Sequence, residues 1–442
     1  MILAPLLSEM DLRDSSEGSI DPLGTYTIAE ALATRLVPGV RERQRHPRFL
    51  TATAVSLAVC SHHGDDDVAA DGITPPWQVF EWYVVEGLVR TLDKSRRTGL
   101  PGSAKVESAI RDGVPVSASR YLKTPSIFGF HGVYRVLTRQ LGIEQAGRLG
   151  EAGFELLTIW SREQGLAGFW SPDAAHADAR AGAGWRRELA QAVDDGLRAG
   201  ASARAPTWKG WAFFGDHLSS GEPGPRERQF LWDLLRQSDD GHRRAVIDFL
   251  VSPAGRDAVA REEPWELRER RVHRKIAATA TPDVRRLVDT ILAYETFARM
   301  LQNAFDDCLV QMTRAARKVR ADALTASPLV QQAVRETPGQ FSRLVDRLAD
   351  YGLTIPFQER FGALAERAAP AAWIRALLEH HTRVQRQKPP AGREPWMLID
   401  SGEYLLRPLY RRDTADGDPD AYAHTYRTAA LWQFAMDLGK VT

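Results

Sequence analysis

Two cysteines, Cys60 and Cys308, are all that 442 residues contain. They stand far apart in apolar helical patterns, so no disulfide framework or thiolate metal site is offered, and both read as small core residues of a reducing compartment. Long apolar runs are missing too. No segment reaches eighteen uninterrupted apolar residues, which excludes a membrane-spanning helix, and the short apolar run over 1–10 has neither a cationic lead nor a small-residue cleavage site. The expectation is a cytoplasmic protein. Excess charge is equally scarce: 58 basic against 57 acidic residues leave a net +1, so any pull on a polyanion must come from local clusters. The sequence has no GxxxxGK[ST] phosphate loop, no GxSxG elbow, no HExxH and no paired CxxC. It therefore announces no catalytic chemistry and implies no cofactor. A metal-dependent nuclease would want an acid on a strand followed by Glu-x-Lys. Asp400 and Glu403 supply the acids, but no lysine follows at that spacing.

With 43% hydrophobic and 26% charged residues, the chain has material for a sizeable core, and its length points to two to four domains. Its dominant stretch runs from Thr281 to Leu324. Thr281 is a plausible N-cap, Pro282 suits the first helical position, and no Gly or Pro interrupts the next forty residues. Val284, Leu287, Ile291, Tyr294, Ala298, Leu301, Phe305, Cys308, Met312, Ala315 and Val319 recur at spacings of three and four, a heptad stripe. This predicts one long helix with neighbours built along it in the same chain. Its far end, Arg314, Arg317, Lys318 and Arg320, is cationic.

Elsewhere the periodicity is also helical. Residues 48–60 predict a buried helix after Pro47. Trp77, Phe80, Trp82, Tyr83, Val85 and Leu88 form an aromatic helical face of the kind that is usually core. Between them, Ser61-His62-His63-Gly64-Asp65-Asp66-Asp67 offers imidazoles and carboxylates. Adjacent residues cannot all turn toward one ion, so this reads as a polar loop with no metal. Near the end, Trp396 to Tyr410 reads as two short strands about Ser401-Gly402, followed by an acidic loop and a closing helix over 424–438. The fold expected is mainly α, multi-domain, with an embedded winged-helix-like unit, one long central helix and a small C-terminal β-hairpin. Its regions are a helical N-terminal part (1–100), the winged-helix-like unit (101–165), a middle helical part (166–280), the long-helix bundle (281–395) and the hairpin with its helix (396–442).

The winged-helix-like unit carries the binding hypothesis. A short helix containing Arg120 and Lys123 precedes the break Thr124-Pro125-Ser126. Ser126 can cap a second helix, with Ile127, Phe130, Val133, Tyr134, Leu137 and Leu141 inward and His131, Arg135, Thr138 and Arg139 outward. Leu141-Gly142-Ile143 and a few residues of stunted wing then lead into another helix. This order resembles winged-helix domains, and the resemblance implies contact with double-stranded DNA or docking of a protein. Arg135 and Arg139 would face the groove, flanked by Ser126 and His131. Arg120 and Lys123 would hold phosphates, and Arg41, Arg43, Arg45 and Arg48 would extend the footprint or simply form a solvated bend.

Three strings, Asp21-Pro22-Leu23-Gly24-Thr25-Tyr26, Phe128-Gly129-Phe130-His131-Gly132-Val133-Tyr134 and Leu406-Arg407-Pro408-Leu409-Tyr410-Arg411, resemble mainly helical proteins of bacterial anti-phage and restriction loci. That likeness implies a non-enzymatic, DNA-binding and partner-binding subunit of a defence complex. The alternatives are a pure scaffold docking a helicase or ATPase, and a cryptic metal-dependent nuclease.

Overall fold

The computed structural model describes residues 21–170, 177–221, 223–237, 241–388, 391–415 and 417–441; the short apolar run over 1–10, and all but the last two residues of the polar lead-in that the sequence suggests over 11–22, lie outside them. The protein is mainly helical, with a small three-stranded antiparallel sheet contributed by the C-terminal part. Contacts divide the chain into two units, each discontinuous in sequence. One joins 1–36 to 257–426 and the other joins 37–256 to 427–442. These boundaries run otherwise than the five consecutive stretches read from the sequence.

In the first unit, helix Pro282–Ala315 is the spine, about 50 Å long at 1.5 Å per residue. The heptad stripe is buried through Met312, but so are Val288, Phe297, Ala304 and Leu309. The helix is therefore packed on several sides rather than along one seam. Helices Tyr26–Leu36, Trp265–Thr279 and Pro328–Ala349 lie against it, which accounts for the wider burial. It stops sooner than expected. Ala316 adopts the left-handed conformation (φ 51°, ψ 21°) and returns its N–H to Met312 O. The chain then leaves as strand Val319–Arg320, which pairs with Glu403–Leu406. Glu403–Leu406 also pairs with Met397–Asp400 in the hairpin expected from the sequence. A heptad position cannot distinguish Val319 in a helix from Val319 on a sheet. The closing helix likewise starts later than expected, at Thr428.

Glu295, on the spine and fully buried, holds the segment before that helix. It accepts hydrogen bonds from the Ala423 and His424 amides, from His424 Nδ1 at 2.6 Å and from the Tyr426 hydroxyl at 2.8 Å. Burial pushes the Glu295 carboxyl up, but His424 and these donors outweigh burial and hold it below the usual range.

In the second unit, helix Phe49–Val59 is buried along nearly its whole length, as expected. Around it pack helices Pro76–Thr91, Phe130–Gln140 and Glu151–Glu163. A helix without a polar face must be surrounded, and this one positions the cavity described below.

The stretch over 116–165 differs from the expected motif. Its first helix is only a 3-10 turn, Ala118–Arg120, and a single α turn, Pro125–Phe128, precedes helix Phe130–Gln140. The minimal hairpin pairs Glu144 with Leu149 and Gln145 with Arg148. Ala146 (φ 49°) and Gly147 (φ 76°) make its turn, the positive-φ pair that a two-residue hairpin requires. A helix, a short wing and a following helix are present, but the leading helix of a helix-turn-helix is not. The winged-helix unit is therefore not established.

Candidate functional site

Helix Phe130–Gln140 is held by a carboxylate from another helix. Glu81, in the middle of Pro76–Thr91 and fully buried, accepts the His131 amide at 2.9 Å and the Tyr121 hydroxyl at 2.7 Å. It therefore satisfies a helix N-terminal donor that no local side chain caps. Ser126 does not play that part. The break falls at Gly129, whose backbone is extended at φ −73°, ψ 163°. A Cβ on Gly129 would stand 2.0 Å from Glu81 Oε1, and one on Gly132 would stand 2.3 Å from the Ser126 carbonyl. Both glycines of the Phe128–Tyr134 string are thus required by close approach. Burial raises the Glu81 carboxyl to about 7 despite the His131 and Phe130 amides and the Tyr121 hydroxyl that lower it.

Beside this join lies a cavity of about 650 Å³, bounded by Trp77, His131, Arg135, Glu144, Arg148 and Trp170 among others. Trp77 stacks on His131 with centroids 4.5 Å apart and planes 18° from parallel. Burial, with Arg135 and Arg139 adding to it, lowers His131 to about 4, so the ring is neutral at pH 7. Its Nδ1 is buried without a hydrogen-bond partner. Arg139 Nε donates to Glu144 Oε1 at 2.9 Å, while the buried Glu144 Oε2 has no partner. Such atoms are costly unless something supplies a donor. Arg135 and Arg148 are exposed, and Phe154 packs near Trp170 at 5.4 Å. The Cys60 thiol on the same wall is pushed up to about 12 by burial, so it is no nucleophile at neutral pH. The arrangement suits a planar, hydrogen-bond-donating ligand that carries negative charge.

The residues singled out from the sequence are scattered. Arg48 and His131 are buried. Arg48 contacts Glu227 at 3.3 Å and donates to the carbonyls of Ser219 at 2.7 Å and His217 at 3.1 Å. Its guanidinium is thus taken up inside the core, away from any phosphate. Thr138, expected outward, is buried, and Ile127, expected inward, is 50% exposed. Arg41, Arg43, Arg45, Arg120, Lys123 and Ser126 are exposed, with Arg43 4.5 Å over the ring of Phe128. The 41–46 segment runs along the Val133 and Tyr134 side of the helix, where Gln44 Nε2 donates to Val133 O and the His46 amide to the Tyr134 hydroxyl. At roughly 100° per residue, Arg135 and Arg139 point to the opposite side. Of the residues singled out, only His131 and Arg135 line one feature, the cavity, together with the neighbouring Arg148, while Arg139 is bonded to Glu144 on its wall. Trp77, Glu144, Arg148 and Trp170 were not foreseen, since aromatic periodicity reads as core. The paired glycines were the available signal.

Other places gather polar groups. A second cleft of about 680 Å³ touches Arg90, Arg97, Trp208 and Trp211. There Arg90 is bonded twice to Glu86 and Arg97 is paired with Glu107, so the charge of these two arginines is compensated. In the first unit, Thr25, His424 and Glu295 line up as a nucleophile, base and acid would. All three are buried, and the Thr25 hydroxyl is spent on Asp21 at 3.2 Å. At the hairpin end, Lys318, the residue before strand Val319–Arg320, reaches Asp400 opposite Glu403. It supplies the lysine that the sequence spacing lacked, but as an exposed ion pair. Compared with known proteins, the chain matches no family model, no curated protein and no solved structure.

Proposed function

We propose that this chain binds nucleic acid, with the cavity beside helix Phe130–Gln140 receiving one nucleotide of an unpaired strand. The observation that carries this is the pair Arg135 and Arg148 on the lining of an aromatic-walled cavity that contains a buried, partnerless carboxylate oxygen of Glu144, whose other oxygen is held by Arg139. Arginines hold phosphates, aromatic walls stack on a base, and a glutamate oxygen accepts from an exocyclic amino group. The likeness to anti-phage and restriction-locus proteins supports a role as a DNA-contacting subunit of a larger assembly. It includes the Phe128–Tyr134 string that builds this wall.

The test is fluorescence anisotropy of the full chain with labelled single strands, duplexes, and duplexes bearing a single-stranded overhang, over a salt series. Overhang and single strand should bind more tightly than blunt duplex. Arg135→Glu with Arg148→Glu should abolish binding, and each lost phosphate contact should flatten the log–log salt slope by about 0.7. Unchanged affinity in the double variant overturns the proposal.

One observation favours partner docking as a second reading. Strand Met397–Asp400 is a sheet edge among the described residues, and it exposes Leu398 and Ile399 close in sequence to the 64%-exposed Leu409. An edge of this kind accepts an added strand. A scaffold of this type would co-purify with a helicase or ATPase, would lose it on Ile399→Lys, and would bind no oligonucleotide alone.

A further inference from the structure

We infer that His62, His63 and Asp194 form a site for a divalent transition metal ion in the second unit. The three donor atoms lie within 4.8 Å of one another. His62 Nε2 and His63 Nε2 each approach Asp194 Oδ1 at 3.1 Å. Ligands bound at about 2.0–2.1 Å to a shared tetrahedral ion stand about 3.3 Å apart. Adjacent histidines normally diverge, but here the chain turns as helix Phe49–Val59 ends, with the His63 amide donating to Cys60 O. The turn brings the two rings to 4.0 Å, tilted by 39°. Asp194 comes from helix Ala177–Ala199, so the donors arrive from segments 131 residues apart (194 − 63).

Two details separate this from a plain ion pair. His63 Nε2 is buried and 3.1 Å from Asp194 Oδ1, yet no N–H of that ring is bonded to the oxygen, which His62 Nε2 reaches at hydrogen-bond distance instead. Its other nitrogen, Nδ1, lies 3.3 Å from Asp67 Oδ2, which also accepts the Gly64 amide at 2.9 Å. A carboxylate behind a histidine is the outer-shell arrangement that orients a metal ligand. Two imidazoles and one carboxylate select zinc, iron, cobalt or nickel over magnesium and calcium. Three protein ligands leave a coordination position for water or a ligand oxygen. His63 also borders the cavity, but the inference is independent of any nucleotide there.

The test is titration of the metal-free full chain with Zn(II) by calorimetry and with Co(II) by visible absorption, without oligonucleotide. One equivalent should bind, with Co(II) d–d bands and pulsed-EPR coupling to two imidazole nitrogens. His63→Ala or Asp194→Asn should weaken binding at least about 100-fold, and Asp67→Asn about 10-fold, while Asp66→Asn should leave it unchanged. Circular dichroism checks that each variant is folded. Should a variant fail to fold, the imidazole count on the wild-type chain decides instead. No stoichiometric binding, coupling to fewer than two imidazoles, or full affinity retained in folded His63→Ala would overturn the inference and leave His62, His63 and Asp194 as ion pairs.

Discussion

Glu81→Gln isolates the contact that builds the cavity wall. The wild-type carboxyl releases its proton near 7 rather than at its ordinary 4.5. Below 4.5 both folded and unfolded chains hold the proton. Between 4.5 and about 7 the folded chain keeps a proton that the unfolded chain has released, so stability falls as pH rises and levels off above 7. At about 1.36 kcal/mol per pH unit, the loss from this one group is about 3 kcal/mol. Glutamine has no such titration. Its carbonyl still accepts the His131 amide and its NH₂ can face the Tyr121 oxygen, for a cost of about 1 kcal/mol. The variant should therefore be slightly less stable than wild type at pH 5 and about 2 kcal/mol more stable at pH 8. Urea unfolding followed by tryptophan fluorescence at both pH values reads the difference. A gap between the two proteins that does not change with pH would refute the account. Gly129→Ala is the steric counterpart. It should cost about 3 kcal/mol beside the carboxylate and far less in a Glu81→Ala background, because the clash is with that side chain.

Glu227→Gln, which leaves the buried Arg48 without its carboxylate, should destabilise by about 3–5 kcal/mol in thermal melts. It should not alter oligonucleotide affinity at temperatures where the chain stays folded, and lost affinity at intact stability would return Arg48 to a binding role. Ala316→Gly should raise the urea midpoint by an amount worth about 1 kcal/mol, since glycine adopts the left-handed conformation at φ 51° without the Cβ penalty. A lowered midpoint would show that the spine does not end this way.

The sequence by itself determined the mainly helical class, the spine from Pro282, the buried helix over 49–59 and the C-terminal hairpin. Each rests on signals carried within a few turns of chain: apolar spacing, a proline at the first helical position, and a serine–glycine turn. Only the tertiary structure decided where the spine stops, because Val319 fits a heptad and a strand equally well and strand Glu403–Leu406 supplies its partner. The candidate site was mostly illegible for the same reason. Glu81 and Glu144 look like ordinary helix and loop acids until one caps a helix fifty residues away and the other is left with a buried, unpartnered oxygen. Arg48 and Arg45 sit three residues apart in one basic run, yet one is buried against Glu227 and the other faces solvent. Charge clustering along a chain records composition, whereas which charges meet solvent, a partner or an ion depends on groups that arrive from distant segments.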